Sequence, residues 1–312
     1  MPLLSINYDS PREIRSFLDS RNLGMRKKFG QNFLINPRIR ARLLSALETQ
    51  DGDEVWEIGP GLGAMTTGLL DQGARVTAFE IDPAFSGALR ELFGYNESFR
   101  LIEGDVLKTW PAAAASFTTA SAEASEKGGV SCPCRMPLLL GNLPYNIAAV
   151  LLADFIEKKW YFPRIVVTVQ KEVALRMAAL RGTKTYSSFS VLCASVYRTV
   201  PLAAIKGSSF YPPPRVDSQA LRLELLPEKD RKNRSSLFHP LVRALFSSRR
   251  KTIRNNMLFF VSSCIVKVPA EDAADEAFRR CGLSGNLRAE NLSVEDFAAL
   301  AEAVESISSY GL

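Results

Sequence analysis

From about residue 53 to residue 225, short apolar runs alternate with longer stretches that carry apolar residues at helical spacing. The runs at 54–58, 75–80, 99–103, 137–141, 164–170, 196–202 and 219–225 read as strands, and the stretches at 65–72, 83–93, 147–158 and 171–179 read as helices. That alternation predicts an α/β fold, a mostly parallel sheet with helices on both faces. Residues 111–136 are rich in Ala, Ser, Thr and Gly and show no apolar period, so a flexible inserted loop is expected there. Beyond Pro227 only helical patterns remain, introduced by the charged link 228–234. A smaller all-α domain is expected over 228–312.

Composition narrows the class. A chain of 312 residues with 46% hydrophobic content can bury a full core and is long enough for one large and one smaller domain. No run approaches the ~20 apolar residues that cross a bilayer. Met1 to Arg15 has early acidic residues and no long apolar core, unlike a secretory signal, so a cytoplasmic protein is expected. The five cysteines, at 132, 134, 193, 264 and 281, form no pair of Cys-x-x-Cys units. Neither a disulfide framework nor a metal site is expected from them. His239 is the only histidine, which removes the usual residues for His-based triads and His-rich metal sites. Just before Pro240, it reads as a surface or capping residue.

A net charge of +6 and a pI near 9.1 suit a polyanionic partner. Arg26, Lys27 and Lys28 cluster near the front, and Arg243, Arg249, Arg250, Lys251 and Arg254 near the back. Each cluster alone reads equally as a solvated helix face.

The chemistry-bearing positions fall at the ends of the predicted strands. Glu57-Ile58-Gly59-Pro60-Gly61-Leu62-Gly63 stands where the first strand turns into its helix, and glycines there admit close backbone approach to a ligand. Ordinary turns use Gly and Pro too. Glu80 ends the second strand, where a carboxylate can take both hydroxyls of a ribose. Asp105 follows the third and is placed to accept from an adenine amino group. The glycines run Gly-x-Gly-x-Gly, not the Gly-x-Gly-x-x-Gly of a pyrophosphate-binding loop. After the fourth strand comes Asn142-Leu143-Pro144-Tyr145. The Asn142 amide oxygen and the Leu143 carbonyl can each accept a hydrogen from an exocyclic amine, Pro144 biases Leu143 toward an extended conformation, and Tyr145 offers a stacking face. On its own, the tetrapeptide reads equally as a strand-to-helix turn.

This ensemble resembles the S-adenosylmethionine-dependent methyltransferases that act on the 6-amino group of adenine. Four further segments narrow the likeness: Phe29-Gly30-Gln31-Asn32-Phe33-Leu34, the stretch from Ser209-Phe210-Tyr211-Pro212 to Ser218, the stretch from Phe246 through Arg249-Arg250-Lys251 to Asn255, and Leu287-Arg288-Ala289-Glu290-Asn291-Leu292. Together they are similar to the KsgA/RsmA family of ribosomal RNA adenine dimethyltransferases, over about residue 26 to the end.

The resemblance implies a Rossmann-like class I methyltransferase sheet over 26–227, a helical rRNA-binding domain over 228–312, and an N-terminal extension over 1–25. It implies S-adenosyl-L-methionine as cofactor, held by Asn32, Leu34, Gly59, Gly61, Glu80, Asp105 and Asn142. Phe33 and Leu34 read also as ordinary packing. The target-base pocket would comprise Asn142, Leu143, Pro144 and Tyr145, with Phe210 as a second aromatic wall opposite Tyr145. A core Phe210 pinned by its prolines is the alternative. Lys27, Lys28, Arg243, Arg249, Arg250, Lys251 and Arg254 would contact RNA. The implied substrate is a pair of adjacent adenosines in the 3'-terminal hairpin of 16S rRNA, each methylated twice within the small ribosomal subunit or its precursor, by a monomer with no membrane partner. A DNA adenine methyltransferase and a non-catalytic assembly or transcription factor are the rival readings.

Overall fold

A computed structural model describes residues 6–24, 31–126, 136–143, 147–264 and 269–310. In chain order the elements are α1 (Pro11–Ser20), β1 (Phe33–Leu34), α2 (Pro37–Leu47), β2 (Glu54–Ile58), α3 (Ala64–Asp71), β3 (Arg75–Glu80), α4 (Pro83–Phe93), β4 (Phe99–Glu103) and α5 (Val106–Glu126). There follow β5 (Leu138–Asn142), α6 (Ala148–Glu157), β6 (Arg164–Gln170), α7 (Lys171–Met177), α8 (Ser188–Ala194), β7 (Tyr197–Ile205), β8 (Phe210–Tyr211) and β9 (Ser218–Leu225). The chain ends in α9 (Phe238–Leu245), α10 (Ile253–Cys264), α11 (Ala270–Cys281) and α12 (Val294–Tyr310).

The seven-stranded sheet has the order β4-β3-β2-β5-β6-β9-β7, and the pairs β2/β3, β2/β5, β3/β4 and β5/β6 are parallel. Strand order reverses between β2 and β5. In open α/β sheets the crevice at the carboxyl ends of such a pair takes the ligand. The register sets Ile58 against Gly141, so the glycine loop and Asn142 leave the sheet side by side. Beneath them Trp56 lies fully buried between the rings of Phe79 and Phe162, at centroid distances of 5.1 and 5.6 Å.

Three helices share one starting device. Ser10, Asn36 and Asp82 each accept a backbone N–H of the first turn, and Pro11, Pro37 and Pro83 follow as pre-set first helical residues. This device forms α1 inside the expected N-terminal extension.

The loop expected over 111–136 is a helix as far as Glu126, with residues 127–135 outside the described ones. Its buried face comprises Val106, Trp110, Ala113 and Ala114. That is a helical period, carried largely by alanines, the strongest helix formers, and so invisible to a count of large apolar residues. Pro111 is exposed and forgoes one intrahelical bond, to the carbonyl four residues back.

The chain divides into two compact units, one of Met1–Leu151, Tyr161–Lys171 and Val200–Leu223, the other of Leu152–Trp160, Glu172–Thr199 and Glu224–Leu312. The boundary expected at 227 thus misses residues 152–160 and 172–199, which go with the helical unit. Packing inside that unit gives the reason: Tyr186 sits edge-on to Phe246 at 6.0 Å and donates its hydroxyl to the Leu292 carbonyl at 3.1 Å. His239 is half-buried there, not a surface or capping group, and burial pushes its pKa down to about 4. No described helix is long and apolar enough to cross a membrane.

Candidate active site

A cavity of about 310 Å³ opens where the sequence pattern placed its polar strand ends. Asn32, Leu34, Gly59, Gly61, Glu80, Asp105 and Asn142 all line it. Each is held there for a local reason.

Gly59 and Gly61 adopt φ of +68° and +61°, a left-handed backbone that a side chain would strain. The Gly59 N–H donates to the Phe79 carbonyl at 3.0 Å, which fastens the loop to β3. A Cβ on Gly61 would stand 3.1 Å from the Phe33 ring, so the loop is pressed against the segment that contributes Asn32 and Leu34.

Glu80 is almost fully buried at the end of β3 and accepts the backbone N–H of Asp82 at 2.9 Å, together with those of Gly61 and Ile81. Burial raises its pKa to about 7 against the opposing pull of these donors, and the neighbouring Asp82 charge adds to the rise. Glu57, deeper in the same wall, is also pushed up to about 7 by burial, and the nearby Glu80 adds to this although Thr66 donates its hydroxyl at 2.6 Å. Asp105 accepts the Leu107 N–H at 3.0 Å and so caps α5, which fixes its carboxylate at the mouth beside Gly104.

Asn142 closes β5. Its amide Nδ2 donates to the Asn32 carbonyl at 3.0 Å, so the acceptor it presents is Oδ1. Leu143 is buried and bonded through its N–H to the Thr168 carbonyl at 3.0 Å, outside the cavity lining. Pro144 and Tyr145, with Lys27 and Lys28, lie outside the described residues.

Phe210, expected as a second wall opposite Tyr145, is described by its packing alone, since Tyr145 lies outside the described residues. At 3% exposure it is a core side chain, packed in one cluster with Leu34 and Leu43 and set opposite Leu34 across the β1/β8 pair. It stands in the two-residue strand β8.

Of the basic residues expected on RNA, Arg243, Arg249, Arg250, Lys251 and Arg254 belong to the helical unit. Arg243 pairs with Glu157, Arg249 with Glu290 at 2.9 Å and with the Lys184 carbonyl at 3.0 Å, and Arg254 holds Asp275 through two bonds of 2.9 Å. Arg250 and Lys251 are exposed.

Several lining residues escaped the sequence reading. Gln31 donates to Asp82 at 2.9 Å and ties the first segment to the loop after β3; its signal was membership of the same motif as Asn32. Tyr8 and Ile14 come from the N-terminal extension, and Glu57 stood in the glycine motif unassigned.

The donor set decides which ligand fits. Among the described residues the lining holds three carboxylates, Glu57, Glu80 and Asp105, and no Lys, Arg or His. A pyrophosphate would meet carboxyl groups and no cationic side chain there. A nucleoside carrying a sulfonium and an ammonium meets a vicinal-diol acceptor in Glu80, bare backbone at Gly59 and Gly61, and a negative field. S-adenosylmethionine has those features, and the residues present fit it.

Comparisons with known proteins agree. Residues 22–305 match the family described as ribosomal RNA adenine dimethylase. The ribosomal RNA small subunit methyltransferase A of Treponema denticola is 42% identical over 300 residues, spanning 96% of each chain. Its counterpart in Borreliella burgdorferi is 36% identical over 303 residues, 97% of each. Among solved structures, a dimethyladenosine transferase from Plasmodium falciparum superposes with a TM-score of 0.67 at 24% identity, covering 85% of this chain and 94% of its own. The 23S rRNA methyltransferase ErmE gives 0.60 at 21%, covering 88% and 100%. These two likenesses concern the fold.

Proposed function

Because the chain belongs to the ribosomal RNA adenine dimethylase family, we propose that it dimethylates the 6-amino groups of two adjacent adenosines in the 3'-terminal hairpin of 16S rRNA. The methyl donor implied by the family is S-adenosylmethionine. When bound, it supplies a methyl group on a sulfonium that departs as a neutral thioether, with no need of acid assistance.

The observation that carries the reading is the juxtaposition of an anionic nucleoside cavity with Asn142. Asn32, Leu34, Gly59 and Gly61 would hold the cofactor, with Glu80 as acceptor for its ribose hydroxyls and Asp105 for its adenine amino group. With Nδ2 committed to Asn32, Oδ1 accepts a hydrogen of the target amine, and the Leu143 carbonyl accepts the other. The nitrogen lone pair, otherwise delocalised into the ring, is thereby localised toward the methyl donor. Alignment of nitrogen, carbon and sulfur is the main contribution, and the methylated nitrogen gives up its proton to water after transfer, so no strong base is needed. A lone histidine, half-buried in the helical unit, is consistent with that economy.

Tyr145 supplies a stacking face for the base, and the basic helical unit binds the RNA backbone within the small subunit or its precursor. Extrusion of each adenosine from its hairpin costs a few kcal/mol. The protein would act as a monomer in the cytoplasm, in ribosome biogenesis.

Mass spectrometry of the 3'-hairpin adenosines, on unmethylated small subunits incubated with protein and labelled cofactor, tests the reading. Two dimethyladenosines are expected. Label on duplex DNA instead would move the protein to the DNA enzymes, and no label on any substrate would make it a non-catalytic factor.

A further inference from the structure

The cavity has a wall that none of the family's strand-end motifs provides. Tyr8 and Ile14, from the segment preceding β1, line it alongside Gly61 and Leu62. Tyr8 reaches across 54 positions to donate its hydroxyl to the Leu62 carbonyl at 2.9 Å, inside the loop that carries the two cavity glycines. Ile14 is 1% exposed on the buried face of α1, and with Phe17 and Leu18 it packs in one cluster with Leu62, Phe85, Leu89 and Phe93.

The segment is also tied to the rest of its unit by ion pairs and a phenol. Arg40 pairs with Asp9, and Arg21 holds Glu91 through two bonds of 2.8 and 2.7 Å. Arg15 donates Nε to the Tyr211 hydroxyl at 2.8 Å, in the residue next to Phe210. The same helix therefore touches the glycine loop at one end of its contacts and the Tyr211-Pro212 segment at the other.

We propose that residues 6–20 are a built wall of the cofactor cavity, in which Tyr8 is a positioning residue for the Gly61-Leu62-Gly63 turn and Ile14 an apolar contact for the ligand. This rests on the reading of the cavity as a nucleoside sulfonium site. The physical content is specific. Leu62 is itself buried, and its carbonyl faces Tyr8, so the turn has a donor from outside the sheet holding the orientation that Gly61 needs to approach a ligand. Without that donor the turn gains alternative orientations, and binding has to select one of them, which weakens apparent affinity in proportion to the population lost.

The test uses the full chain and S-adenosylhomocysteine as probe. Tyr8→Phe removes the hydroxyl and keeps the ring, so the fold is preserved and the ligand-free melting temperature falls by no more than the few degrees that one lost hydrogen bond costs. Its affinity for the probe is expected to fall about two- to tenfold, the range of one net hydrogen bond. Ile14→Ala is expected to weaken the probe as well. In methylation assays both variants raise the cofactor KM more than they lower kcat. Wild-type affinity for the probe in Tyr8→Phe, with the wild type binding normally, overturns this inference and leaves the proposed function standing. A wild-type protein that binds no probe overturns both.

Discussion

The amide of Asn142 donates to the backbone carbonyl of Asn32 at 3.0 Å, across 110 positions of sequence. This bond joins the end of β5, where the proposed acceptor for the target amine lies, to the segment that carries Asn32 and Leu34 into the cavity lining, so the two share one orientation. Asn142→Ala removes both the bond and the acceptor. Its kcat is expected to drop about 10²- to 10³-fold, the scale seen when one preorganised polar group is removed from a transition state. Binding of S-adenosylhomocysteine should change much less. Asn142→Asp is the sharper variant. Its carboxylate cannot donate to Asn32, so it should be as inactive as the alanine variant; retained activity would show that the Asn32 bond is dispensable.

Glu80 and Glu57 give the site a pH dependence. In the fold each is raised from an ordinary 4.5 to about 7, burial being the main cause in both. A carboxyl that holds its proton more tightly when folded contributes stability that is full below about 4.5 and is lost as pH rises through about 7. Ligand-free protein should therefore melt lower at pH 8 than at pH 5.5, and Glu57→Gln should flatten part of that slope. Ribose hydroxyls donated to Glu80, as proposed, would favour its ionised form. Affinity for S-adenosylhomocysteine should rise between pH 6 and pH 8 in the wild type and be weak and flat in Glu80→Gln; a parallel rise in that variant would assign the titration to another group.

The glycine loop separates stability from binding. A Cβ on Gly63 would lie 2.2 Å from the Phe93 ring at a φ of +86°, at the join between α3 and α4. Gly63→Ala should destabilise the protein by about 1–3 kcal/mol, read as a lowered midpoint in urea. A Cβ on Gly61 meets only the Phe33 ring at 3.1 Å, and Gly61 lines the cavity. Gly61→Ala should hurt cofactor binding first. Equal loss of stability in the two variants would contradict this division.

What the sequence carried and what it hid differ in physical kind. The strand ends were legible because a parallel sheet buried on both faces writes near-continuous apolar runs, and the polar residue that ends each run is where the crevice lies. Gly59, Glu80, Asp105 and Asn142, read at those ends, all stand in the cavity lining. The helix over Val106–Glu126 was hidden because its buried face is made partly of Ala113 and Ala114, which do not stand out as apolar. Helix α1 was hidden although Ser10-Pro11 has the same polar-cap and proline form as Asn36-Pro37 and Asp82-Pro83. Phe210 was assigned by motif, and only packing shows it as core. Tyr8 had no sequence signal, since its bond to Leu62 exists only in three dimensions.

The basic residues of the helical unit divide by what already holds them. Arg249 bridges Glu290 and the Lys184 carbonyl, and Arg254 grips Asp275 with two bonds, so both guanidinia are engaged within the protein. Arg250 and Lys251 are exposed on the turn that precedes α10. Phosphate contacts add a salt dependence of roughly one counterion each. Arg250→Ala and Lys251→Ala should each weaken binding to unmethylated small subunits and lower the slope of log affinity against log salt by about 0.7 to 0.9, with cofactor affinity unchanged. Arg249→Ala should in addition release Glu290 and the 180s turn whose Lys184 carbonyl it caps, so part of its effect should persist at high salt. If all three variants shift affinity equally at every salt concentration, the exposed pair carries no special share of the phosphate contacts, and the RNA-binding face lies elsewhere on the chain.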